Sequence, residues 1–292
     1  MRIGAVLPQV EIAGDAIMVR DWAQAVDELG YADILVTEHV LGFRDEPGQS
    51  VYGPVVPQTP MQEPLVLFGY LGALTQRVRL STGVLVLPQR QTALVAKQAA
   101  IADVLTGGRL RLGVGAGYVP IEYRALNADY HNRGARIVEQ IEVLRALWTE
   151  QIVNHGGRWH ELDAAGINPL PVQRPIPIWM GGMSDRALRR AATICDGWMS
   201  MLTAPDDSAR IAIERLHLYV AEARRAIDDV GINVFLFARF VPVDRWAEYA
   251  DAWRQLGATD LSVDFTGCGH TNVSQHIAAL QRGAEQFALA AP

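Results

Sequence analysis

Eight short apolar runs alternate with eight amphipathic stretches along this chain, and few folds accept that order. The runs are Arg2 to Leu7, Ala32 to Thr37, Val78 to Leu85, Leu110 to Val114, Ile176 to Met180, Gly197 to Met201, Val234 to Phe240 and Asp260 to Val263. Most are continuously apolar, as strands covered on both faces are. Between them the spacing predicts helices over Ala16 to Leu29, Pro64 to Thr75, Thr92 to Leu105, Arg133 to Trp148, Asp185 to Ala192, Asp206 to Asp229, Arg245 to Leu256 and Asn272 to Phe287. In the fourth of these Ile137, Ile141, Leu144 and Trp148 share one face, with Arg136, Glu139, Glu142 and Arg145 expected on the solvent side. Strict alternation of this kind predicts a closed (β/α)8 TIM barrel rather than an open Rossmann sheet. Such barrels take about 250 residues. A chain of 292 residues therefore fits one domain, 1–292, with loop insertions at the strand C-terminal face.

Composition narrows the function classes. A net charge of −6 and a pI near 5.7 argue against a nucleic-acid partner. No run approaches the length of a membrane span, and Pro8 and Glu11 come too early for a signal peptide, so a cytoplasmic protein with no membrane partner is expected. Cys195 and Cys268 show neither CxxC nor zinc-ligand spacing, which points to free thiols and no structural metal. Lys97 is the sole lysine, so Schiff-base chemistry has that one candidate.

In a barrel the active site is built at the C-terminal ends of the strands. That places Glu38-His39 after the second strand, Gly83 and Val84 to Pro88 at the third, Gly115 to Tyr118 at the fourth, and Met180-Gly181-Gly182-Met183-Ser184 at the fifth. His39 can hydrogen-bond or shuttle a proton near neutral pH, or simply tie a strand end to the backbone. Side chains alternate along a strand, so at most one of Glu38 and His39 points straight into the mouth. Gly181-Gly182, just before a helix, suits either an anion held by backbone N–H groups or a turn needing φ > 0. Gly113 to Gly117 fails as a dinucleotide fingerprint, because Tyr118 stands where its third glycine belongs. HExxH, GxSxG and Walker A sequences are absent. A barrel without metal ligands or a nucleophile motif is expected to borrow its chemistry from a phosphorylated cofactor. Two insertions stand out. One is the Pro- and Gly-rich loop Leu41 to Gln62, whose Phe43, Tyr52 and Val55 to Pro57 predict an apolar pocket wall and a hydrophobic small-molecule substrate. The other, Ile152 to Leu162, reads as a hairpin turning at Gly156-Gly157.

STGVLVLPQRQTALVAKQAAIADVLTGGRLRLGVGAGY, HNRGARIVEQIEVLRALW, PIPIWMGGMSDRALRRAA and CDGW resemble the bacterial luciferase-like superfamily, in particular its branch of oxidoreductases using the deazaflavin coenzyme F420. The resemblance runs from residue 1 to about 265. It implies a cofactor across the strand C-termini, with its ring over a bulge in the third strand where members carry a non-prolyl cis peptide, at Gly83-Val84 here. It implies cofactor contacts from His39, Gly83, Val84, Val86, Tyr118, Met180, Gly181, Gly182 and Met183, with His39 and Glu38 as the catalytic pair. Two departures matter. Sugar-phosphate dehydrogenase members carry a glutamate where this chain has Tyr118, which argues against a sugar-phosphate substrate. Glu38 stands where many deazaflavin members have aspartate, and luciferase-type flavin enzymes share the glutamate. The expected activity is hydride transfer between reduced F420 and an organic substrate. The alternatives are an FMN-dependent monooxygenase fed by a separate reductase, and a non-catalytic flavin-binding barrel.

Members are commonly dimers packed through helices beside the early strands. The segment Pro64 to Leu74, PLVLFGYLGAL, is apolar nearly all round, more than one buried face requires. A homodimer is therefore expected by sedimentation at micromolar concentration, and a monomer there would assign the surplus apolar surface to cover by the preceding loop.

Overall fold

A computed structural model describes residues 1–43 and 55–290. Tyr52 lies outside the described residues. The barrel strands are β1 (Arg2–Val6), β2 (Asp33–Val36), β3 (Arg79–Thr82), β4 (Leu85–Val86), β5 (Leu110–Gly115), β8 (Ile178–Gly181), β9 (Gly197–Met199), β10 (Gly231–Phe237) and β11 (Asp260–Asp264), with β6 (Val153–Gly156) and β7 (Glu161–Ala165) forming the hairpin. The sheet runs β3-β2-β1-β11-β10-β9-β8-β5-β4, and the further pairing of β3 with β5 closes it. Every barrel pairing is parallel. The expected third strand is divided: β3 and β4 share one position in the barrel, separated by a cis peptide bond between Gly83 and Val84.

The helices are α1 (Gln9–Ile12), α2 (Ala16–Glu28), α3 (Pro64–Leu74), α4 (Thr92–Leu105), α5 (Pro120–Ala125), α6 (Arg133–Thr149), α7 (Asp185–Ile194), α8 (Asp207–Glu222), α9 (Trp246–Gln255) and α10 (Val273–Gln286). The long helix expected to run to Asp229 ends at Glu222, where Arg224 turns to a φ of 57° and the Arg225 guanidinium ties back to the carbonyls of Ala192 and Cys195. On α6, Glu139 does not face water. It accepts the backbone N–H groups of Arg158, Trp159 and His160 at 2.8 to 3.0 Å and so fastens the hairpin turn to the helix. Burial alone would raise its carboxyl, but these donors and the His160 ring hold it down to about 2. On α3, Leu65, Leu67, Phe68 and Leu71 pack inward, while Val66 (71% exposed) and Tyr70 (40%) face outward.

Alternation along the strands fills the lumen in layers. The lowest is charged. Arg111 of β5, fully buried, donates to Asp260 of β11 (3.0 Å), to Ser81 of β3 (2.8 Å) and to Asp33 of β2. Arg79 and Arg2 also reach Asp260, at 2.6 and 2.9 Å, and the Arg111 guanidinium lies 4.4 Å from the Trp179 ring centroid. The layer above is apolar: Val6, Leu35, Trp179, Met199 and Phe235. The Trp179 indole fits because its neighbours are glycines; a Cβ on Gly197 or Gly231 would sit 2.3 to 2.4 Å from the ring. Above this plug the lumen opens.

Burial alone would raise the Asp260 carboxyl, yet Arg111, Arg2 and Arg79 hold it down to about 2. A depressed carboxyl stabilises the fold fully above its unfolded value, near pH 4, and loses that contribution as pH falls toward its folded value. Arg111→Met should lower the unfolding free energy by about 3–5 kcal/mol in urea titrations, since it removes a fully buried cation shared by Asp33 and Asp260 and leaves Asp33 with Arg79 at 3.8 Å. The loss should shrink between about pH 4 and pH 2 as the Asp260 carboxylate protonates.

Candidate active site

The open end of the barrel holds a cavity of about 1170 Å³ at the strand C-termini. Glu38, His39, Gly83, Val84, Val86, Tyr118, Met180, Gly181, Gly182 and Met183 all line it. Val55, from the described end of the long loop, lines it too, and Phe43 packs edge-on against His39 at 6.1 Å.

The acid and histidine adjacent in sequence do not meet. Strand alternation turns Glu38 toward the wall, where its carboxylate accepts the Val86 N–H (2.7 Å) and pairs with Arg90. Arg90 also pairs with Glu63 at 2.8 Å, and Glu63 caps α3 through the Val66 N–H. Burial pushes the Glu38 carboxyl up against the pull of Arg90. Glu38 thus fixes the bulge after Val84 rather than the His39 imidazole, which corrects the pairing expected from the sequence.

His39 turns instead to Glu122 of α5, with Nδ1 3.3 Å from Oε2 and the Tyr118 ring edge-on at 5.9 Å. Glu122 also accepts the N–H groups of Val40 (3.0 Å) and Leu41 (3.2 Å). Burial alone would raise its carboxyl; the hydrogen bond and charge of His39 and the Leu41 N–H bring it below the usual range. The sequence reading missed α5 and with it Glu122. The available signal was Val119-Pro120-Ile121-Glu122, a proline at the first helical position with an acid in the first turn.

The opposite end of the cavity is cationic. Gly182 holds a φ of 116°, and the Gly181 backbone lies so near Val84 that a Cβ would come within 2.8 Å of it. Ser184 caps α7 by accepting the Ala187 N–H at 3.3 Å, so the positive end of that helix faces the cavity. Arg133, Arg186 and Arg190 line the same end, and among the described residues none of the three pairs with a carboxylate. Burial and the charge of Arg186 hold Arg190 below its ordinary pKa. Arg133 is set in place by the Tyr130 carbonyl (2.7 Å) and lies 3.6 Å from that ring's centroid. None of these arginines was singled out from sequence, where each reads as a solvated helix residue.

A profile of the luciferase-like monooxygenase family matches residues 5–290. An uncharacterized protein of Mycobacterium tuberculosis is 33% identical over 251 residues, 83% of each chain. The F420-dependent hydroxymycolic acid dehydrogenase of the same organism is 26% identical over 265 residues, 88% of this chain and 68% of that one. The crystal structure of the monooxygenase RslO1 from Streptomyces bottropensis superposes with a TM-score of 0.77 at 18% identity, covering 99% of both chains.

The Glu122 carboxylate, a charged acceptor for three donors, is expected to contribute about 1–3 kcal/mol. Because it is depressed, that contribution is present above its unfolded value and lost as pH falls through the folded one. Glu122→Gln should therefore lower urea stability at neutral pH, with a smaller deficit below about pH 4. An equal deficit at both would show that the carboxylate charge plays no part.

Proposed function

We propose that this chain, which belongs to the luciferase-like monooxygenase family, is an oxidoreductase that uses coenzyme F420 to exchange hydride with an apolar organic substrate. The observation that carries this reading is the cationic end of the cavity. Three guanidiniums that, among the described residues, have no carboxylate partner, and a capped helix N-terminus, offer more positive charge than a single phosphate requires. F420 presents a phosphodiester and carboxylates in its tail, whereas FMN presents one phosphate. The similarity to an F420-dependent dehydrogenase over 88% of the chain supports the same choice.

The residues present fit such a group: Gly181 allows close backbone approach, and Gly83, Val84 and Val86 form an apolar shelf for a flat ring. When bound, the deazaflavin supplies a ring carbon that accepts or donates hydride. The protein's share is orientation and proton handling. With Nδ1 engaged by Glu122, Nε2 is the His39 atom that takes the proton from a substrate hydroxyl, or returns it in the reverse direction. Glu122 fixes the orientation and tautomer of the ring. Glu38 and Arg90 keep the shelf in place through Val86. The apolar layer of Val6, Leu35, Trp179, Met199 and Phe235 closes the site from below and excludes water. The exposed Val66 and Tyr70 of α3, beside Ile17 of α2, are the surface through which two copies would associate.

Anaerobic titration decides the cofactor. F420 should bind at least about tenfold more tightly than FMN, and Arg190→Ala should weaken F420 by about tenfold, the loss of one charge-assisted contact. FMN binding tighter than F420 would favour the monooxygenase with a separate reductase. With F420 saturating, His39→Ala should lower kcat by about 10²- to 10⁴-fold. Near-normal turnover would remove His39 from the chemistry.

A further inference from the structure

We propose that Asp264 selects the substrate, by holding a protonated amine carried on an otherwise apolar molecule. The inference rests on the cavity being the site of the reaction described above, and it names the substrate class for that site. Asp264 is the last residue of β11, and alternation places it in line with Asp260, in the charged floor, and Ser262, which donates to Asn233 inside the barrel at 3.1 Å. It therefore stands at the lumen mouth, where it lines the cavity. The strands flanking β11 are β10 and β1. On that side the cavity is lined by the apolar Val6, Val10 and Phe235, together with Thr266 and with Gln9, whose amide is engaged by Thr37 and Gln62.

Among the described residues, the other carboxylates lining the cavity are Glu38, engaged by Arg90, and Glu122, engaged by His39 and two backbone N–H groups. Asp264 has a lighter hold. The Thr266 N–H donates to its Oδ1 at 2.8 Å, the Thr266 side chain also hydrogen-bonds the carboxylate, and among the described residues no cation forms an ion pair with it. Arg239, which follows β10, lies over the Phe237 and Phe240 rings and donates to the Thr266 carbonyl at 3.3 Å, so its charge is felt at Asp264 without an ion pair. Burial pushes the Asp264 carboxyl up, opposed by Thr266 and Arg239. A carboxylate in apolar surroundings is best compensated by a cation that also donates a hydrogen bond. The arginines at the other end would repel the same cation. The cavity thus orients a ligand of this kind, with its amine at β11 and its apolar body toward the plug.

The test uses 4-phenylbutylamine, 4-phenylbutan-1-ol and 4-phenylbutanoate as probes of one shape, titrated calorimetrically into the cofactor-loaded and cofactor-free protein at pH 7.5. The amine should bind at least about tenfold more tightly than the alcohol, and the carboxylate most weakly. Asp264→Asn keeps an oxygen for the Thr266 N–H, so the turn is retained. In that variant the amine should lose its advantage, to within about twofold of the alcohol, with F420 affinity unchanged. An amine that binds no better than the carboxylate, or a preference that survives Asp264→Asn, would overturn the proposal. Failure of F420 to bind is a separate result: it would overturn the cofactor reading while leaving the probe ranking in the cofactor-free protein to judge Asp264.

Discussion

A buried guanidinium at the base of the barrel sets the positions of everything above it. Arg111 joins β5 to β2, β3 and β11 in one layer, and those contacts span the place where β3 meets β5 and the sheet closes. A parallel sheet of alternating strands and helices tolerates no slip in register, because a shift of one residue turns every inward side chain outward. The floor fixes the register: with Asp33, Ser81, Arg111 and Asp260 locked together, residues two and four positions further along each strand must face the lumen. Thr37, Gly83, Gly115 and Asp264 all reach the cavity by this rule. The arrangement is not stabilising merely because it is charged, since a buried ion network roughly offsets its own desolvation. Its value lies in the penalty for any other pairing, which would leave a charge buried alone.

The apolar layer connects that floor to the chemistry. Trp179 stacks over Arg111 and belongs to the same apolar layer as Val6, Met199 and Phe235, which line the cavity above it. Its size is matched by the missing side chains at Gly197 and Gly231. With water excluded from below, charges at the mouth act through a low-dielectric wall and are screened less than on an open surface. The cationic end at α7 and the acidic side chain at β11 therefore keep separate influence over opposite ends of the cavity.

Much of this was legible in the sequence, for a physical reason. Strands covered on both faces and helices with one apolar face leave strong periodic signals, and a parallel barrel repeats them eight times. The strand ends then named His39, Gly83, Val84, Tyr118 and Gly181 without any knowledge of contacts, and all of them reach the cavity. The failures share a different cause. Glu139 was assigned to solvent because helix periodicity ignores the hairpin that later folds over it. The helix past Glu222 was drawn too long because a positive φ at Arg224 has no sequence signature. Helix α5, at Pro120–Ala125, is too short to show a period, so its one important residue was invisible to that method.

The exchange of partners between Glu38 and Glu122 shows where sequence adjacency misleads. Two neighbours in a strand end face opposite ways, so the acid beside a histidine in the chain is poorly placed to touch it. The residue that can touch it comes from the next layer of loops, here α5, which starts three residues after Gly117. That helix is in turn tied to the loop after β2, because Glu122 accepts the N–H groups of Val40 and Leu41 as well as the imidazole contact. One carboxylate thus holds both the histidine and the backbone of Val40 and Leu41 that follows it. If His39 handles the proton as proposed, the ring that does so and the backbone that follows β2 share one buried carboxylate, Glu122.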